Sequence, residues 1–175
     1  RAPPAEELVS RLLFVVTSSM TADLLLRGQL RFLVDAGFEV ELACGGGTEL
    51  DRVAEREGIP VHRVSLRREI HPLSDPLALA QLFALARRVK PDAVVTGTPK
   101  AGLLGMLAAR AAGVPVRIHV LRGLRLETAR GWKQRLLRIT ERMTAGAATQ
   151  VVAVSPSLRR DCRSAVIRNT GAGSR

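Results

Sequence analysis

Leu12-Leu13-Phe14-Val15-Val16 runs directly into Thr17-Ser18-Ser19. Five apolar residues without alternation suit a strand covered on both faces, and the polar triplet marks where that strand releases its chain at the carboxyl edge of a sheet. A helical segment is predicted next, from Leu24 to Ala36. It places Leu26, Leu30, Leu33 and Val34 on one stripe, and Gly37 can take the left-handed closing position after it.

The same unit recurs along the chain. Further strands are predicted at Phe38 to Cys44, Val61 to Leu66, Ala93 to Thr96, Val116 to Leu121 and Val151 to Val154. Between them, Thr48 can cap a helix through about Glu57, and Asp75-Pro76 reads as an N-cap and first-turn proline for Leu77 to Val89. Thr98-Pro99 opens a helix ending at Gly113, whose Gly102, Gly105, Ala108, Ala109 and Ala112 permit close packing against a sheet. Another helix is predicted from about Gly131 to Ala147, and Ser155-Pro156-Ser157 opens a last short one. The pattern predicts an α/β domain: a Rossmann-like, doubly wound, mostly parallel sheet of about six or seven strands with helices on both faces.

At 175 residues and 46% hydrophobic content, the chain closes one core rather than two. Residues 1–10 read as a disordered or foreign leading segment, 11–168 as the domain, and 169–175 as a hinge start or disordered tail. No apolar run approaches a membrane span and no secretory pattern opens the chain, so a cytoplasmic location is expected. Cys44 and Cys162 have neither disulfide-scaffold count nor metal spacing and are expected to be free thiols. Basic residues outnumber acidic ones 27 to 16, a net charge of +11 that favours anionic partners, although the excess is spread along the chain. Only Lys90, Lys100 and Lys133 are lysines, so compositional bias toward Arg contributes to that excess.

Ligands in such sheets sit beyond the strand carboxyl ends. Four polar segments fall there: Thr17 to Asp23, Arg67 to Asp75, Gly97 to Lys100 and Arg122 to Thr128. Arg67, Arg68, Lys100, Arg122 and Arg125 can hold phosphate or sugar hydroxyls. The helix start at Thr98-Pro99-Lys100 adds free amides and a positive dipole end. A dinucleotide site is excluded, because Thr17-Ser18-Ser19-Met20-Thr21 lacks the Gly-x-Gly-x-x-Gly spacing and Gly45-Gly46-Gly47 follows the second strand instead. His62, His71 and His119 lie too far apart in sequence to suggest a metal site. His62 and His119 fit packing roles within strands.

Several loop motifs stand in collinear order: Leu26-Arg27-Gly28-Gln29 and Gly37-Phe38-Glu39-Val40; Arg67-Arg68-Glu69-Ile70 with Pro72-Leu73; Lys90-Pro91-Asp92; Thr98-Pro99-Lys100-Ala101-Gly102; Leu121-Arg122-Gly123-Leu124-Arg125 with Glu127; and Val154-Ser155-Pro156-Ser157-Leu158. Together they resemble the N-terminal domain of family 4 (group 1) glycosyltransferases, especially bacterial enzymes of capsule, exopolysaccharide and O-antigen assembly. The resemblance implies the N-terminal half of a GT-B fold, in which this half receives the acceptor and a C-terminal half, absent here, holds the nucleotide-sugar. It also implies retention of anomeric configuration with no metal or other cofactor. Catalytic residues cannot be named from this half. Two departures stand out. Relatives often carry His-x-His where this chain has Val95-Thr96-Gly97, so that imidazole is missing. The stretch from Arg159 to Val166 is short, and Arg168-Asn169-Thr170-Gly171 matches the interdomain hinge loosely.

The implied partners are a nucleotide-sugar and a lipid-linked saccharide. The candidate acceptor- or phosphate-binding residues are Arg27, Arg67, Glu69, Thr98, Lys100, Arg122, Gly123 and Glu127. In the predicted helix from Gly131 to Ala147, Trp132, Leu136, Ile139 and Met143 form a stripe expected to face the domain. Arg135, Arg138 and Arg142 would then offer guanidinium groups to an anionic membrane surface, making the protein peripheral at the inner face of the cell membrane. The composition leaves two alternatives. A sugar-nucleotide epimerase shares the architecture but not the Arg-Gly-Leu-Arg and Ser-Pro-Ser loops. A nucleic-acid module needs stacking platforms, and the chain has four Phe, one Trp and no Tyr, so no specific nucleic acid is expected.

Overall fold

The computed structural model describes residues 10–67, 69, 73–122 and 132–155, with the side chains of 132–134 and 136 excepted. In chain order the elements are β1 (Arg11–Ser18), α1 (Ser19–Leu25), α2 (Gln29–Asp35), β2 (Glu39–Gly45), α3 (Leu50–Glu57), β3 (Val61–Val64), α4 (Ser74–Val89), β4 (Ala93–Thr96), α5 (Pro99–Ala111), β5 (Val116–Leu121), α6 (Trp132–Ala147) and β6 (Gln150–Ala153). The six strands form one parallel sheet in the order β3-β2-β1-β4-β5-β6. The doubly wound architecture read from the sequence is therefore observed.

Strand pleating divides the apolar run of β1 between two cores. Leu13 and Val15 pack with Leu82 and Leu85 of α4 and with Ala101 and Met106 of α5, while Phe14 and Val16 pack with Leu26, Leu30, Leu50 and Val53 on the other face. Right-handed crossovers thus put α1, α2 and α3 on one side and α4, α5 and α6 on the other. Cys44 is fully buried in the second core, where desolvation pushes its thiol up to about 12, as suits an inert packing residue.

Several boundaries differ from the expectation. The single helix predicted from Leu24 to Ala36 is two helices, broken at Gly28, whose φ is 71°. The cause lies on α3. Glu57 is fully buried, and its carboxylate accepts from the Gly28 and Arg31 amides at 2.9 and 3.0 Å, capping α2, and from Arg56 at 2.8 Å. Burial opposes ionisation of Glu57, but these donors outweigh it and hold the carboxyl below the usual range. Helix α3 starts at Leu50 after Glu49, so Thr48 is not its cap, and Ser19 Oγ donates to Glu49 at 2.6 Å. Helix α4 starts at Ser74 rather than beyond an Asp75 cap. Strand β3 ends at Val64 because the Ser65 amide donates to Gln81 of α4 at 2.7 Å instead of joining the ladder.

Helix α6 presents a different face from the one expected. Glu141, Thr144 and Ala147 are buried, whereas Ile139 and Met143 are 47% and 48% exposed. Thr140 and Thr144 satisfy their hydroxyls on the carbonyls of Leu137 and Thr140, so these small side chains can be covered without orphaned polar groups. Arg110 and Arg117 donate to the carbonyls of Gly146 and Ala147, closing the C-terminal end of α6.

Among the described helices the basic residues segregate in space. Helices α4, α5 and α6 with Lys90 hold nine basic residues and two acids, whereas residues 19–35 and 50–57 on the opposite face hold four basic and five acidic ones. Of the two acids on the basic side, Asp75 is paired with Lys100 and Glu141 is buried.

Candidate functional site

The strand order reverses between β1 and β4, the position at which doubly wound sheets open a crevice. Register brings two hydroxyls together there. Val15 lies opposite Thr96, and two residues further on Thr17 and Thr98 share a hydrogen bond of 2.6 Å across the switch point. Thr98 has extended backbone at the N-cap of α5, with Pro99 after it, but makes no side-chain cap bond. Its hydroxyl joins the crevice floor instead.

The loops after β2 and β3 close around this floor. A methyl at Gly45 would overlap the carbonyl oxygen of Leu66 and sit 2.6 Å from that of Thr17, so only glycine lets these three strand ends converge. Lys100 pairs with Asp75 at 2.6 Å, both side chains being mostly buried, and donates to the Glu69 carbonyl. The charge expected to meet a ligand is thus already compensated, and Lys100 ties the start of α5 to the start of α4 and to the loop after β3. Glu69 enters through its backbone, and Arg67 is exposed on the same loop.

Arg122 follows the last residue of β5. Its Nε is buried and has no hydrogen-bond acceptor among the described residues. A Cβ at Gly97 would lie 3.3 Å from that Nε and 3.9 Å from Val16 Cγ1, so Arg122 folds from β5 across the end of β4 toward the switch point. Glycine at position 97 makes room for the guanidinium. His119 supplies an imidazole from the next strand, but beneath the floor: it is 3% exposed, meets Thr96 Oγ1 at 2.7 Å and abuts Gly102, where a methyl would overlap the ring. Burial depresses its pKa to about 4, so it is neutral at pH 7 and acts in packing.

Arg27 stands apart from this group. Helix α1 carries the chain about 10 Å from the strand ends, and Arg27 pairs with Asp23 at 3.6 Å. Asp23 also takes Arg52 at 2.7 Å and Arg56, whose hydrogen bond leads in holding the carboxyl below its ordinary range. This cluster ties α1 to α3. His62 likewise serves packing, meeting Glu41 and Arg88 on the sheet flank. Gly123, Arg125, Glu127, Arg68, His71, Cys162 and the short helix opened by Ser155-Pro156-Ser157 lie wholly or mostly outside the described residues, as do 1–9 and 169–175. Arg135, Arg138 and Arg142 are all exposed on α6. Among the described residues no three of His, Cys, Asp and Glu converge as a metal cage, and no helix is long and apolar enough to cross a membrane.

Comparison with known proteins agrees with this geometry. The glycosyl transferase 4-like domain matches residues 16–171. The chain belongs to that family. Among relatives of the domain, the capsular polysaccharide biosynthesis glycosyltransferase CapM of Staphylococcus aureus is 37% identical over 135 residues, 77% of this chain and 35% of that protein. The UDP-Gal:alpha-D-GlcNAc-diphosphoundecaprenol alpha-1,3-galactosyltransferase of Escherichia coli is 29% identical over 102 residues, 58% of this chain and 26% of that protein. The domain thus spans about a third or less of these relatives. Its fold matches a UDP-N-acetylglucosamine 2-epimerase with TM-score 0.66 at 20% identity, covering 86% of this chain and 43% of that one. It also matches Acinetobacter baumannii MurG with TM-score 0.61 at 16% identity, covering 85% and 42%. These structural likenesses show the fold alone, which transferases and epimerases share.

Proposed function

We propose that this domain is the acceptor-side half of a retaining glycosyltransferase. In the complete protein it orients a lipid-linked saccharide while a second domain presents a nucleotide-sugar, and a hexosyl or N-acetylhexosaminyl unit passes between them. The observation that carries this reading is Arg122, held over Gly97 at the switch point with a buried Nε that no described residue accepts. A planar guanidinium there suits a phosphate or sugar oxygen, and fixing two reactants in one cleft supplies much of the rate enhancement in such a transfer. Thr98 contributes its hydroxyl, Arg67 a second cation, and Gly123 and Glu127 follow Arg122 in the sequence. Lys100 serves as a strut, and no metal or other cofactor is required.

The acceptor lies in a membrane, and the basic face of α4, α5 and α6 is the side that would meet it. Exposed Ile139 and Met143 beside Arg135, Arg138 and Arg142 make α6 an interfacial helix for the anionic cytoplasmic leaflet. One experiment tests both parts. The complete protein is given nucleotide-sugar with and without a polyprenyl-diphosphate-linked saccharide in phosphatidylglycerol vesicles. Donor consumption only when acceptor is present is expected, whereas consumption without acceptor would indicate an epimerase. At about 1 kcal/mol per basic residue, changing Arg135, Arg138 and Arg142 to Glu is expected to weaken low-salt vesicle sedimentation at least about tenfold. Equal sedimentation would rule α6 out as the docking surface.

A further inference from the structure

A cavity of about 500 Å³ opens at the carboxyl end of β3, and its lining changes character from one end to the other. Leu66 forms an apolar floor at 5% exposure. Leu73 and Leu77, one helical turn apart, stand at the mouth with 79% and 51% of their surface in water. Arg67 brings a cation with no carboxylate partner among the described residues, and Ser65 and Ser74 line the same wall. A volume of this size suits a small organic ligand.

We infer that this cavity seats the diphosphate and first isoprenoid units of the lipid acceptor, with Arg67 on the diphosphate and Leu66, Leu73 and Leu77 on the hydrocarbon. The assignment rests on the acceptor-side reading above. A nucleotide fits the described lining poorly, since among the described residues it has no aromatic side chain to stack a base and no carboxylate or amide side chain to read its edge. A branched hydrocarbon joined to an anion needs only an apolar wall and a cation.

Position supports the same ligand. The mouth continues into the outer side of α4, where Ala80 and Ala84 are exposed and Phe83 is 39% exposed, so the lipid tail leaves the cavity on the basic face of the domain. In the other direction, β3 and β4 are three strand positions apart, about 14 Å at the usual spacing. A saccharide extending along the sheet edge from the cavity therefore brings its far end to the Thr17–Thr98 switch point.

The test uses the complete protein. Leu73→Gln with Leu77→Gln replaces two exposed apolar side chains by polar ones of similar size, which the fold tolerates at the surface. It is expected to raise KM for the polyprenyl-linked acceptor at least tenfold, with kcat unchanged and with no change for a water-soluble acceptor carrying the same saccharide on a short alkyl diphosphate. Arg67→Gln is expected to weaken calorimetric binding of farnesyl diphosphate at least tenfold while leaving farnesol binding unaltered. Unchanged KM in the double variant, or an equal rise with both acceptors, would overturn the seat while leaving the transferase reading intact. If the wild type transfers to neither acceptor, the transferase reading fails. The farnesyl diphosphate titration still decides the cavity, since equal affinity in wild type and Arg67→Gln removes the assignment.

Discussion

Replacing Arg122 by Ala in the complete protein is expected to lower kcat/KM roughly 100-fold, about 2.7 kcal/mol of lost transition-state stabilisation, the range found when one preorganised donor is removed. The melting temperature is expected to stay within about 2 °C of the parent. The two outcomes have one origin. The buried Nε has no acceptor among the described residues, so truncating it removes an unsatisfied donor rather than a bond to any of them. Arg122→Lys is expected to recover only part of the activity, because an ammonium keeps the charge but not the planar fork. Activity assays and thermal melts of the three proteins check this. A large loss of melting temperature in Arg122→Ala would show that the side chain is structural.

Gly45→Ala is expected to be the most damaging small substitution, costing about 3 kcal/mol or more and lowering the melting temperature by roughly 6–12 °C. The added methyl meets backbone oxygens of Leu66 and Thr17, which cannot swing aside as a side chain can, so the ends of β1 and β3 must separate. Gly46→Ala is the control: a Cβ there meets nothing within 4 Å and the backbone is not left-handed. Thermal unfolding of both variants decides the matter. Equal melting temperatures would mean that the strand ends do not converge as described.

The sheet was legible because its causes are local. Leu12 to Val16 carries its own period, and Pro99 and Gly113 mark the ends of α5 within a residue or two. The features that escaped have causes distant in sequence. Gly28 reads as helix interior until Glu57, 29 residues away, is found accepting its amide. Asp75 before Pro76 has every mark of a cap, yet it pairs with Lys100. In α6 the apolar stripe is real but faces outward, since Thr140, Thr144 and Ala147 offer a small-residue face on the side that meets α5. That spacing was the available signal.

The candidate site was half legible for the same reason. Polar residues at strand ends could be collected from the pattern, which found Thr98, Arg67 and Arg122. Which of them meet an open crevice could not be read, because the pairing of Lys100 with Asp75 and the clearance of Gly97 beneath Arg122 join segments about 25 residues apart. The one-sided charge was hidden by the crossovers, which send successive helices to opposite faces of the sheet.

In the proposed function this domain supplies the acceptor wall of a transferase and not its donor wall. The most direct measurement is a calorimetric titration of the 175-residue chain with a polyprenyl-diphosphate-linked saccharide in phosphatidylglycerol vesicles and, separately, with UDP-sugars. Saturable binding of the lipid-linked saccharide above that of empty vesicles, with no UDP-sugar binding up to about 1 mM, is the predicted result. Saturable micromolar binding of a UDP-sugar with no preference for vesicles carrying the acceptor would contradict it.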